Sequence, residues 1–146
     1  MKILLPVDGS DCSLAAVRHA LQQRAHGLQS TFVLVNVQRP ATLYEMAVSH
    51  DVDALKALRT AAGSDLLSSA EAMLSGAGVP FETEVAGGEA QSILLDLCEN
   101  YGCAAIIMGA RGMGEPQSSG LGSTVLGVLQ HAAVPVTVVR PPELDN

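Results

Sequence analysis

The sequence predicts an α/β protein in which a parallel sheet is covered by helices on both faces. Five short apolar segments alternate with four segments whose apolar residues recur at helical spacing. The apolar segments are nearly continuous and rich in Val, Ile and Leu, as expected for strands that are buried on both faces. This alternation favours right-handed β-α-β connections. Ligands of such sheets bind outside the carboxyl ends of the strands.

The predicted strands share β-branched or aliphatic residues and are bounded by turn residues. They are Ile3 to Val7, Thr31 to Val37, Phe81 to Val85, Ala104 to Met108 and Val136 to Val139. Glu82 and Glu84 alternate with apolar residues in the third strand. This alternation indicates a strand with one less buried face, which suits the edge of the sheet.

The four predicted helices have apolar residues three or four positions apart. These positions are Leu14, Val17, Leu21, Ala25 and Leu28 in the first helix; Leu55, Leu58, Ala62, Leu66, Ala70 and Met73 in the second, from Asp53 to Leu74; Ala90, Ile93, Leu94, Leu97 and Cys98 in the third. The fourth helix extends from Ser123 to about Ala132, and either Ser10 or Asp11 can cap the first. The segment from Gln38 to His50 lacks periodicity, and a loop of that length is typically functional or mobile.

Composition limits the class of protein. The 146 residues amount to one domain and can bury their own core, so we expect residues 1–146 to form a single domain. A net charge of −7 with eight Lys plus Arg disfavours nucleic acid and anionic membranes as partners. With no Trp, two Tyr and two Phe, the chain also offers no stacking platform for single strands.

Cysteine usage and the amino terminus indicate the compartment. Cys12, Cys98 and Cys103 are odd in number and lack C-x-x-C spacing, so neither a disulfide framework nor a zinc site is indicated. Pro6 and Asp8 interrupt the first apolar run too early for a signal peptide, and no run reaches membrane-spanning length. We expect a cytoplasmic protein without membrane insertion and without a metal site.

A glycine-rich segment after the fourth strand is the part of the sequence that best indicates a ligand site. Gly109 to Gly112 (GARG) is followed after nine residues by Gly122 to Thr124 (GST), which opens the fourth helix. Glycine lets a ligand approach the main chain closely, and the amino terminus of a helix attracts anions such as phosphate. The segment is neither a Walker A loop nor G-x-G-x-x-G.

This glycine pattern, with Pro6 to Ser10 (PVDGS) after the first strand, resembles the universal stress protein family. The resemblance covers nearly the whole chain and includes Val35 to Val37, Gly87-Gly88, Ile107 to Gly112, Leu121 to Thr124 and His131 to Val136. It implies a Rossmann-like fold of the adenine nucleotide α-hydrolase type with strand order 3-2-1-4-5. It also implies the branch that keeps the glycine motif and binds ATP.

The resemblance further implies a binding site with base, ribose and phosphate regions. Its residues are Pro6, Val7 and Asp8 at ribose and adenine, Val37 at the adenine edge through its backbone, Met108 and Gly109 against the nucleoside, and Gly112, Gly122, Ser123 and Thr124 at the phosphates. Apart from the resemblance, Arg111 is a further candidate for a phosphate contact, because an acidic chain has to build a phosphate site from local groups. The family commonly dimerises through its last strand, here Val136 to Val139. We therefore expect a small, dimeric, ATP-responsive regulator with a protein partner that the sequence does not identify.

Other interpretations remain open at this stage. The glycines could form a tight connection without a ligand, Asp8 could cap the first helix, and Arg111 could be a solvated side chain. Glu115 lies where family members often carry basic residues, so AMP, ADP or a Mg²⁺-bridged ATP become candidate ligands beside ATP. The alternative functions are a protein-interaction module with a vestigial nucleotide site and a slow ATPase. No residue pair indicates a dedicated base and transition-state clamp, so no catalytic residue is assigned.

Overall fold

The computed structural model describes residues 1–39, 52–112 and 120–141. Within these ranges strands and helices alternate along the chain. They are β1 (Lys2–Pro6), α1 (Asp11–Ala25), β2 (Thr31–Gln38), α2 (Val52–Gly76), β3 (Phe81–Gly87), α3 (Ala90–Asn100), β4 (Ala105–Gly109), α4 (Ser123–His131) and β5 (Val136–Val139). None of the helices in these ranges is long and apolar enough to cross a lipid bilayer.

The strands form one five-stranded sheet in the order β3-β2-β1-β4-β5. All four strand pairs are parallel. The predicted fold class and strand order are therefore confirmed, as is the edge position of β3. The strand order reverses at β1, because β2 lies on one side of β1 and β4 on the other.

The core has one apolar layer on each face of the sheet. Ile3 and Leu5 belong to the layer that also contains Val17 of α1 and Leu67 of α2. Leu4 points the opposite way, into the layer that α3 and α4 cover. Because successive strand residues alternate between faces, the continuous apolar run of β1 supplies both layers.

The buried face of α2 differs from the predicted one. Of the predicted positions Leu55, Leu58, Ala62, Leu66, Ala70 and Met73, Ala70 is buried and Met73 packs against the core. The other buried residues of the helix are Gly63, Leu67 and Leu74, which were not predicted. Leu58 is 69% exposed. The reason lies at Gly63, where a Cβ atom would overlap Cγ1 of Val85 on β3. The missing side chain lets α2 pack closely on the sheet, and this contact fixes the rotation of the helix.

The buried face of α1 consists mostly of small residues. Ala15, Ala16 and Ala20 are buried beside Val17. Leu28, which was predicted to lie on the helix face, follows the end of α1 and is 37% exposed. Small side chains bring the helix axis close to the sheet, so that the first turn of α1 lies against the end of β4.

Candidate functional site

The carboxyl ends of β1 and β4 border an open cleft of about 590 Å³. This volume includes space that is open to the surrounding solvent. The predicted site residues that line the cleft are Pro6, Val7, Asp8, Val37, Met108, Gly109, Arg111, Gly112, Gly122 and Thr124. Ser123 is exposed at the start of α4 and is not among the lining residues. The fold thus gathers ten of eleven residues that are spread over more than a hundred positions.

Five further lining residues were not predicted. They are Ser13, Val35, Ala90, Leu94 and Val125. Val35 lies two positions before Val37 on the same face of β2, so strand alternation could have identified it. Ala90 and Leu94 reach the cleft because α3 packs on this face of the sheet, a long-range contact that carries no local signal.

One wall of the cleft is apolar. Val35, Leu94 and Met108 are each less than 5% exposed and line it together with Val37. These side chains come from β2, β4 and α3, so the wall lies between the sheet and a helix. Such a surface accepts a flat apolar ring, and burial of that ring is favourable by about 25 cal/mol per Å².

The main chain of Val37 adds polar groups to this wall. Residues of β2 with even numbers bond to β3, as the Gly88 N–H does to the Gln38 carbonyl at 2.9 Å. Residues with odd numbers bond to β1, as the Val7 N–H does to the Val35 carbonyl at 2.8 Å. Because Val37 has an odd number, its N–H and C=O point to the side of β2 on which β1 lies. The chain turns away from this side after Val7. These groups face the cleft.

A carboxylate stands at the end of β1. Oδ1 of Asp8 accepts hydrogen bonds from the N–H of Ser10 at 2.9 Å and from its Oγ at 2.5 Å. Oγ of Ser10 in turn accepts from the N–H of Ser13 at 3.2 Å and caps α1. The helix cap is thus Ser10 and not Asp8. Asp8 instead fixes the capping side chain while its carboxylate lines the cleft.

Gly109 is required by packing. A Cβ atom at this position would lie 2.7 Å from the carbonyl carbon of Cys12 and 2.8 Å from its oxygen. Backbone atoms cannot rotate away from such a contact, so β4 reaches the first turn of α1 only because residue 109 lacks a side chain. The packing interpretation is sufficient for this glycine.

The first turn of α4 differs from those of α1 and α3. Ser10 caps α1, and the Glu89 carboxylate caps α3 by accepting from the N–H of Ser92 at 3.1 Å and from its Oγ at 2.9 Å. Both bonds lower the pKa of the Glu89 carboxyl, and the bond from the N–H of Ser92 has the larger effect. At α4 the N-cap is Gly122, which has no side chain to cap the helix.

Within the part of the chain that the structure describes, no side chain caps the main-chain donors at the start of α4. The first N–H groups of a helix have no acceptor within it. Gly122 and Thr124 of this first turn line the cleft, and Arg111 lines it nearby. N–H groups, the positive end of the helix dipole and a guanidinium together suit an anion.

A second polar cluster lies outside the residues that line the cleft, beside Lys2 at the start of β1. The hydroxyl of Tyr101 donates to Oε1 of Glu84 at 2.8 Å, which raises the pKa of Tyr101 to about 12. Burial raises the pKa of Cys98 and brings that of Cys103 to about 11. Because the thiolate is the nucleophile, these buried thiols are poorly reactive.

Some sequence expectations lie outside the described residues. Glu115 and residues 40–51 of the irregular loop belong to the undescribed parts of the chain. In the parts that are described, no three His, Cys, Asp or Glu side chains are grouped to hold a metal ion.

Comparisons with known proteins agree with this architecture. The universal stress protein family matches residues 1–140. The chain is 27% identical to universal stress protein MJ0531 of Methanocaldococcus jannaschii, over 99% of this chain and 84% of that protein. It is 28% identical to universal stress protein YxiE of Bacillus subtilis, over 95% of this chain and 98% of that protein.

Solved structures share the fold. The hypothetical protein MJ0577 superposes with a TM-score of 0.81 at 23% identity, over 98% of this chain and 97% of that chain. A universal stress protein family protein from Arabidopsis thaliana, solved with AMP bound, gives 0.68 at 16% identity, over 97% and 92%. A universal stress protein in complex with cAMP gives 0.69 at 21%, over 95% and 96%. The family match across 140 of the 146 residues, on a sheet of this order, places the chain in the universal stress protein family.

Proposed function

We propose that the cleft binds an adenine nucleotide and that the chain, as one domain, acts as a small nucleotide-responsive regulator in the cytoplasm. One observation supports this most: an apolar wall with main-chain polar groups, a carboxylate and an uncapped helix start all border the same cleft. These three regions match the base, sugar and phosphate of a nucleotide in their order across the carboxyl edge of the sheet.

The base would lie against Val35, Leu94 and Met108. Adenine presents the N6 donor beside a ring-nitrogen acceptor, and the C=O and N–H of Val37 offer the complementary pair. Asp8 would accept from a ribose hydroxyl, since an ionised carboxylate has lone pairs for several donors. Its bonds to Ser10 hold it in place before the ligand arrives.

The phosphates would occupy the region between Gly112 and the first turn of α4. Ser123 and Thr124 would donate their N–H groups or hydroxyls, and Arg111 would add a positive charge. Gly122 would border the phosphates without donating, because its N–H is bonded to the Ala110 carbonyl at 2.8 Å. Two solved relatives were determined with a nucleotide, one with AMP bound and one in complex with cAMP. We propose ATP for this chain because it retains both halves of the glycine motif, with ADP and AMP as alternatives and Mg²⁺ as a companion of ATP.

A dimer would form through β5. This strand is at an edge of the sheet, and its odd-numbered residues bond to β4, as the Val139 carbonyl does with the N–H of Ala110 at 2.9 Å. Val136 and Val138 therefore direct their main-chain groups outward, where a second copy of β5 could pair with them. The dimer would present two nucleotide-dependent surfaces to a protein partner.

We expect hydrolysis of bound ATP to be slow at most. Phosphoryl transfer needs a positioned base and groups that stabilise the transition-state charge. Among the described residues that line the cleft, Asp8 is the acidic one, and it accepts hydrogen bonds from Ser10. A protein-interaction module with a vestigial site is the second candidate, and Glu115 in the glycine motif favours it.

Thr124→Glu tests the nucleotide site, with Thr124→Gln as its matched control. A carboxylate about 5 Å from a phosphate would repel it by about 3 kcal/mol at an effective dielectric constant of about 20. Solvent screening leaves about half of this at a partly exposed position, so affinity should fall about tenfold. A glutamate in the first turn stabilises a helix by about 0.3–1 kcal/mol, so the fold should not suffer.

The measurement begins with mass spectrometry of small molecules released from fresh wild-type protein, followed by calorimetric titration with MgATP. We expect adenine nucleotide from the wild type, similar affinity in Thr124→Gln and about tenfold weaker binding in Thr124→Glu. If the wild type releases no nucleotide and MgATP does not raise its melting temperature, the nucleotide proposal is wrong and the interaction module takes its place.

A further inference from the structure

Asn36 is a polar side chain in the apolar layer beneath α2. It is 2% exposed and lies on the face of β2 opposite to the cleft. Its Nδ2 donates to the Val7 carbonyl at 2.8 Å, and its Oδ1 accepts from Nε2 of Gln38 at 2.5 Å. Burying an amide is costly unless it is hydrogen-bonded, and here both of its ends are.

The bond to Val7 replaces a bond of the sheet. In the β1–β2 register the Thr31 N–H donates to the Met1 carbonyl at 2.9 Å, and every second residue of β2 repeats this offset. Continued to the end of β2, the offset would join the N–H of Val37 to the carbonyl of Val7. That carbonyl accepts instead from the side chain of Asn36.

We propose that Asn36 is a positioning residue, which ends the β1–β2 ladder at Val7 and so keeps the N–H of Val37 directed into the cleft for a bound base. This inference rests on the proposed adenine-nucleotide site. Without the amide, the carbonyl of Val7 would lack a donor. A buried carbonyl without a donor is costly, so the strands would add one rung and take up the N–H that the base needs.

The packing of α2 holds the amide in this orientation. A Cβ atom at Gly63 would lie 3.0 Å from Oδ1 of Asn36 and would overlap Val85, the residue paired with Asn36 on β3. The helix backbone thus closes over the side chain from one side while Gln38 fixes it from another. Enclosed in this way, the amide directs Nδ2 to the Val7 carbonyl.

Asn36→Leu tests the inference, because leucine has a similar shape and no donor. Its control is Val85→Ala, which removes packing at the paired position and leaves the amide intact. Two ligands are titrated by calorimetry: MgATP, which uses the base and phosphate regions, and inorganic tripolyphosphate, which uses the phosphate region alone. Hydrogen exchange of the Val37 amide is measured by NMR without ligand.

We expect Asn36→Leu to bind MgATP about tenfold more weakly, the effect of one lost hydrogen bond. Tripolyphosphate affinity should change less than about twofold, and the Val37 amide should exchange more slowly than in the wild type because it joins the ladder. Val85→Ala should change both affinities alike. Asn36→Ala, which removes the donor without adding bulk, should give the same split if Asn36→Leu fails to fold.

Equal losses of MgATP and tripolyphosphate affinity in the Asn36 variants would overturn the inference, since they would indicate general damage. The inference would also be overturned if the Val37 amide exchanged at the same rate in the Asn36 variants as in the wild type. A wild-type protein that binds neither ligand would instead refute the proposed function, and the exchange rates of the Val37 amide would then still decide whether Asn36 ends the ladder.

Discussion

Gly109→Ala should destabilise the protein through one backbone contact. The added methyl would lie 2.7 Å from the carbonyl carbon of Cys12 and 3.0 Å from the nitrogen of Ser13, whereas ordinary contacts begin at 3.4 Å. The end of β4 and the first turn of α1 would have to separate by more than half an ångström. Overpacking of this kind costs about 1–3 kcal/mol.

A smaller effect opposes this cost. Replacing glycine by alanine reduces the conformational entropy of the unfolded chain and stabilises by about 0.4–1 kcal/mol where the native backbone tolerates it. The net change for Gly109→Ala is therefore a loss of about 1.3 kcal/mol. In a chain of 146 residues this lowers the melting temperature by about 4 °C.

Two other glycines provide graded controls. Gly76 ends α2 with open space where its Cβ atom would lie, so Gly76→Ala should be neutral or stabilise by up to about 1 kcal/mol. At Gly127 the Cβ atom would overlap the flexible tip of Gln91, which can move, so its cost should fall between the other two. Urea denaturation at pH 7 gives all three values. If Gly109→Ala is as stable as Gly76→Ala, the packing explanation of Gly109 is wrong.

Two further predictions concern Tyr101 and the edge strand β5. The pKa of Tyr101 is raised to about 12 by its bond to Glu84, so its contribution to stability is complete below pH 10 and lost as the pH rises toward 12. Urea midpoints of the wild type should thus fall more steeply than those of Tyr101→Phe over this window, and parallel curves would contradict the assignment. Val138→Pro removes an outward N–H from β5 without touching the bonds to β4, so sedimentation should detect a dimer for the wild type, as proposed, and a monomer for Val138→Pro. A dimeric Val138→Pro would exclude pairing through β5.

The fold was largely predictable because its signals are local. Apolar runs such as Ile3 to Val7 and turn residues such as Gly9 mark strand ends within a few positions. The rotation of α2 was not predictable, because Leu66 and Leu67 are equally apolar neighbours. What decides between them is the close approach at Gly63, which depends on Val85 of a distant strand.

Some residues of the candidate site could also be predicted from the sequence, and others could not. Asp8 and Gly122 were predictable, since the carboxyl ends of parallel strands meet at one edge and a glycine loop follows β4. Leu94 was not, because only the packing of α3 brings it to the cleft. The hydrogen bond of Asn36 could not be predicted either, because a single polar residue in an apolar strand does not indicate which carbonyl its side chain will bond to.

The main-chain groups of Val37 have a consequence for how this protein can vary. A contact made by an N–H and a C=O is independent of the side chain, so any β-forming residue at position 37 preserves it, and proline alone deletes the donor. In the proposed site, a substitution at position 37 would therefore keep the contact with the base, although no particular residue would mark that contact in the sequence. The direction in which the main chain of a strand position points, and not the identity of its side chain, would then be what relatives share.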